Sequence, residues 1–282
     1  MTPTIHYIVE PAGTPTTSIA RQGAGLLMAR PERNEVWRWD AESDALELYR
    51  KFTGAVRGIA VSQEGRIYAC QTPSRRIIEY LADGTARTLS TQLDGQYHNF
   101  PVSLAVDDDG RIWFADAKVD VKAPGPDVYP RLDHASVLRL DPGSGGSWQM
   151  YRITTDTNNP LAVAVSVDGL TLFVADLANE SLNIYAYDVD SAHSMGERRR
   201  VLGLQGQSGL PGMSITSDGN LLLAGVGASH ELRLIDPDGN ELEIVVLDEE
   251  PTHAIPSGSD DSTAFVATRS GAILRVELDS MP

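Results

Sequence analysis

Two residues of this 282-residue chain combine a strong polar function with a repeated place in the sequence: Arg57 in Val56-Arg57-Gly58 and His253 in Thr252-His253-Ala254. Each introduces a short apolar run. A guanidinium stays charged at any working pH and presents a fork of donors, so Arg57 is suited to a carbonyl or phenolate oxygen. An imidazole titrates near neutrality, so His253 is suited to shuttle a proton or donate a hydrogen bond. These two are the expected catalytic pair. The segments sharing their place are Gly13-Thr14-Pro15, Pro101-Val102-Ser103, Pro160-Leu161-Ala162 and Leu210-Pro211-Gly212, which make Thr14, Val102, Leu161 and Pro211 expected substrate contacts. His98 in GQYHNFP and Tyr129 in a proline-rich insertion complete the set. Such a ring is poor in carboxylate and imidazole ligands, so it predicts neither a metal nor another cofactor. Asp116 and Asp176 end the phrases FAD and VAD, and their repetition predicts carboxylates that cap backbone N–H groups. No nucleophile elbow, Walker loop or dinucleotide fingerprint occurs in the required context.

The elements that must position these residues come from internal repetition. SLAVDDDGRIWFAD, AVAVSVDGLTLFVAD, GMSITSDGNLLLAG and RGIAVSQEGRIYAC are copies of one hairpin phrase, and SIARQGAGLLMA and THAIPSGSDDSTAFVAT are weaker copies. Asp-Gly and Glu-Gly supply tight turns, and the flanking runs are rich in β-branched and aromatic residues. A further strand follows each copy. The anchors Leu27, Ile67, Ile112, Leu172, Leu222 and Phe265 lie 40, 45, 60, 50 and 43 residues apart. That spacing suits four-stranded blades. The chain is therefore expected to be all-β, a six-bladed β-propeller forming one domain over residues 1–282. The sixth repeat lacks an outer strand, and Ile5 to Glu10 is expected to supply it and close the ring. In blade three the stretch Ala117 to Ala135 is expected to be a stiff loop or lid carrying Tyr129.

The totals exclude several classes. A formal net charge of −16 disfavours nucleic acid and acidic membranes as partners. No apolar run reaches the length of a membrane helix, and no secretory signal is read, so the expected location is cytoplasmic. The single cysteine, Cys70, excludes an internal disulfide and is expected to be a buried thiol. The expected partner is a hydrophobic small molecule, and the oligomeric state is left open.

From Arg57 to Asp116, and again in DGLTLFVADLANESLNIYAYDVD, the chain resembles the senescence-marker-protein / gluconolactonase family of six-bladed propellers. The resemblance implies hydrolysis of lactones with a divalent metal held by one glutamate, two asparagines and an aspartate. The matching positions here are Gly13, Val102, Leu161 and Pro211, none of which supplies a ligating side chain. The main expectation is accordingly a metal-independent enzyme of secondary metabolism that cyclises, by a hetero-Diels–Alder type of addition, or isomerises a hydrophobic substrate in the channel. The alternatives are a gluconolactonase-like lactone or ester hydrolase and a non-catalytic binding propeller.

Overall fold

The computed structural model describes residues 4–118, 130–190, 195–205, 210–226, 230–258 and 261–278. Within them the strands form six four-stranded antiparallel sheets and one short two-stranded ribbon. Blade one is Ser18–Gln22, Gly25–Arg30, Glu35–Asp40 and Ala45–Lys51, in spatial order from the axis outward. Blades two to five repeat that order from the innermost strands Val56–Val61, Phe100–Val106, Pro160–Val165 and Gly212–Ile215. Blade six consists of Pro251–Pro256, Thr263–Thr268 and Ile273–Glu277, and its outermost strand is Ile5–Val9. The N-terminal strand thus closes the ring, pairing Ile5 with Val276 and Tyr7 with Leu274. Each innermost strand adjoins that of the next blade, and blade six adjoins blade one.

The second strand of each blade is the most deeply buried, which explains runs such as Leu26–Ala29 and Leu221–Ala224 that are apolar without alternation. Both faces of such a strand are covered by neighbouring blades, so period-two patterning has no solvent side to record. Cys70 lies on one of these strands and is fully buried, as expected. Among the described residues no helix is long and apolar enough to cross a membrane.

The register carries a regular irregularity. Pairing between the first and second strands skips one residue at Arg57, at Val102, at Leu161 and at Thr252. An extra residue of this kind twists the strand and re-aims a side chain. In blades five and one the equivalent residues directly precede the first ladder pairs, Gly212 with Ala224 and Ser18 with Ala29, and are Pro211 and Thr17.

Side chains at the ends of the second strands fasten the segments that lead into the first strands. Asp116 accepts from the backbone N–H of Asn99 at 2.8 Å and from its side-chain amide at 3.2 Å. Asp176 accepts from the backbone N–H of Asn158 at 3.0 Å and of Asn159 at 2.6 Å. The capping role expected for both carboxylates is their geometry. Gln71 donates to the carbonyl of Thr53 at 2.6 Å, and Arg30 to Thr16 Oγ1 at 3.2 Å. These bonds set the height at which each rim residue meets the channel.

Asp116 is fully buried, and loss of water pushes its carboxyl up to about 7, against the Asn99 hydrogen bonds that oppose the shift. The folded chain then keeps a proton that the unfolded chain releases near pH 4. The contribution to stability is complete below about pH 4 and is lost as pH rises toward 7, by about 4 kcal/mol at most. Asp116→Asn should remove this slope in denaturant titrations at a series of pH values. An unchanged slope between pH 4 and 7 would contradict the assignment.

Candidate functional site

The rim residues enclose a cavity of about 240 Å³ at one mouth of the central channel. Arg57, Val102, Leu161, Pro211, Thr252 and His253 line it, together with Thr17, Ser18, Ser103, Glu32 and Arg269. The bulges bring Arg57, Val102, Leu161 and Thr252 to one level, with Thr17 and Pro211 completing it. His253 sits one residue deeper. Its register equivalents are Ser18, Gly58, Ser103, Ala162 and Gly212, all small, so the imidazole is the one large side chain at that depth. A Cβ on Gly212 would lie 2.5 Å from His253 Cα, so this glycine is needed for blades five and six to meet beside the imidazole.

His253 Nδ1 accepts a hydrogen bond from the backbone N–H of Ile19 at 3.4 Å. Enclosure away from water lowers the imidazole to about 4. The ring is therefore neutral near pH 7 with its proton on Nε2, which makes it a hydrogen-bond donor and a poor general base. Arg57 is partly buried, and the loss of water lowers its pKa while Glu32 opposes the shift. Among the described residues its guanidinium makes no ion pair and no hydrogen bond. Its own carbonyl is held by Thr17 Oγ1 at 2.8 Å. The other rim charges behave differently: Arg269 is paired with Glu250 at 2.6 Å, and Glu32 is exposed at the lip. A cation with its donors unspent, lining the same cavity as a neutral N–H donor, is an arrangement that can stabilise negative charge on a substrate oxygen.

The expected site residues divide clearly. Arg57, His253, Val102, Leu161 and Pro211 share the cavity. Thr14 does not line it; blade one contributes Pro15, Thr17 and Ser18 instead, because its first ladder pair begins at Ser18. Gly13 is likewise displaced, its N–H bound to the carbonyl of Ser270 at 2.9 Å. His98 is a core residue: it is fully buried, its Nε2 lies 2.9 Å from Ser90 Oγ, and it packs edge-on to Phe114. Desolvation lowers its imidazole to about 3. Tyr129 and most of the blade-three insertion lie outside the described residues; within that insertion Asp133 pairs with Arg152 at 3.2 Å and lines no part of this cavity. Glu32 and Arg269 went unforeseen because they follow the second strands rather than precede the first ones. In an antiparallel hairpin both kinds of loop reach the same mouth, so a charge directly after the repeated second strand was the available signal.

The cavity does not fit a divalent cation at the positions where the resemblance placed one. Val102, Leu161 and Pro211 offer no side-chain oxygen, Thr17 spends its hydroxyl on Arg57, and Glu32 is the one carboxylate in the described lining. Calcium takes six to eight oxygens and zinc three or four nitrogen, sulfur or carboxylate ligands.

Known proteins supply the remaining observation. The family model described as SMP-30/Gluconolactonase/LRE-like region matches residues 23–270. A gluconolactonase of Zymomonas mobilis is 24% identical over 248 residues, covering 80% of this chain and 67% of that protein. A gluconolactonase structure from Xanthomonas campestris has a TM-score of 0.84 at 24% identity, over 98% of this chain and 89% of that one. A luciferin-regenerating enzyme has a TM-score of 0.75 at 15% identity, over 98% and 96%. At these identities the two structures share the fold with this chain.

The tautomer of His253 is open to direct measurement. In ¹⁵N spectra its imidazole should remain neutral and protonated on Nε2 from pH 8 down to about 5, and charge only as pH approaches 4. A midpoint near 6.5 would contradict the geometry.

Proposed function

The chain belongs to the SMP-30/gluconolactonase/LRE-like family, and from that premise we propose that it hydrolyses the ester bond of a lactone held at the Arg57 mouth of the channel. The observation that carries this reading is the partly buried Arg57 guanidinium, unpaired among the described residues, which lines the same cavity as His253. Both would donate to the lactone carbonyl. Water adds to the carbonyl carbon, and the oxygen becomes an anion in a site where screening is weak. The carboxylate of Glu32 takes the proton released by the attacking water. The ring C–O bond then breaks, the proton returns to the leaving alkoxide, and the product is a hydroxy acid. No step of this scheme uses a metal, because the described residues at the rim give one no set of ligands.

The expected cyclase or isomerase is less well supported than this alternative. That expectation rests on the apolar part of the ring, Val102, Leu161 and Pro211, whereas the curated relative and the similar solved structure are gluconolactonases. In the hydrolase the same residues form a dry wall that keeps bulk water from the Arg57 side of the carbonyl.

Proton release on a panel of γ- and δ-lactones, followed by pH-stat, tests the proposal. Turnover should survive chelation. Arg57→Ala should lower kcat/KM by about 100-fold, the usual cost of one oxyanion donor, and Arg57→Lys by less. Turnover that chelation abolishes and calcium or zinc restores would overturn it, as would an unaffected Arg57→Ala.

A further inference from the structure

The register identifies a backbone group that adds to this site. In three blades the residue one place beyond the His253 level on the innermost strand donates its N–H to a side chain of the preceding blade. Three such amides are capped there by a side chain: Ile19 by His253 Nδ1 at 3.4 Å, Ile59 by Ser18 Oγ at 3.3 Å, and Val163 by Ser103 Oγ at 3.4 Å. The equivalent residues of the other blades are Leu104, Met213 and Ala254. The residues that face them are Gly58, Ala162 and Gly212, which have no side-chain acceptor. Of these three amides only that of Leu104 belongs to a residue lining the mouth cavity, and its facing residue, Gly58, directly follows Arg57.

We propose that the Leu104 N–H, left uncapped by Gly58, is a third donor to the carbonyl oxygen that Arg57 and His253 hold. A backbone amide fixed in a sheet needs no reorganisation when charge develops, which is the property an oxyanion donor requires. Gly58 is then a positioning residue: serine at the same level in blades one and three closes the corresponding amide. The inference rests on the lactone-hydrolase reading for its catalytic role, but not for the binding of a carbonyl oxygen.

Gly58→Ser and Gly58→Ala separate the proposal from packing. A Cβ on Gly58 would approach the carbonyl oxygen of Val102 to 3.0 Å, and both variants bear that crowding equally. Only serine can also cap Leu104 as Ser18 caps Ile59. The expected result is a kcat/KM for Gly58→Ser about 100-fold below that of Gly58→Ala, a loss of one oxyanion donor. Equal losses in the two variants would overturn the proposal and make Gly58 a packing residue. Independently of turnover and of either variant's folding, δ-valerolactam should shift the ¹⁵N–H resonance of Leu104 in the unmodified protein. A shift without any lactone turnover would retain the donor and reject the hydrolase; no shift on lactam binding would reject the donor.

Discussion

Each blade of this ring leaves the inner edge of its first strand unpaired, and that edge faces the axis. The first strand bonds to the second on one side only, so its other peptide groups line the channel. Buried backbone polar groups need partners, and an open edge invites unwanted pairing. The ring meets the demand with side chains from the preceding blade: Ser18 serves Ile59, Ser103 serves Val163, and His253 serves Ile19. The imidazole expected to be catalytic is therefore also part of the wall. Its tautomer follows from that structural duty, because accepting from Ile19 leaves the proton on Nε2.

Arg57 meets the opposite condition. The chain has 39 acidic residues and a net charge of −16, and many of the described arginines find a carboxylate. Arg57 is partly desolvated and forms no such pair among the described residues. A buried charge without a partner is costly, and the cost is offset when a ligand supplies the missing acceptor. The bulge at Arg57, shared with three other blades, turns this side chain to the mouth. The fold and the site are thus linked through one local device, an extra residue at the start of the innermost strand.

Much of the architecture was legible in the sequence because it repeats. The six hairpin phrases, the missing outer strand of the last blade and its replacement by the N-terminal strand all follow from counting. Arg57 and His253 were visible as polar residues in a repeated place. Less legible was their depth. Proline marks the residue before the bulge at Pro101, Pro160 and Pro251, but not in blade one, so Thr14 was expected where Thr17 stands. His98 carries no pattern that separates a core histidine from a rim one; its burial against Phe114 follows from the two-stranded ribbon before blade three. Glu32 and Arg269 lie outside the repeated phrase, and only their place just after its second strand indicates them.

We propose that a lactone carbonyl is held at the mouth by Arg57 and His253, at a rim whose described residues offer no set of metal ligands. A crystal structure of the protein with a bound lactam analogue tests it most directly. The account predicts the lactam oxygen within hydrogen-bond distance of the Arg57 guanidinium and of His253 Nε2. A lactam oxygen bound to a divalent cation, or a lactam seated away from Arg57, would contradict it.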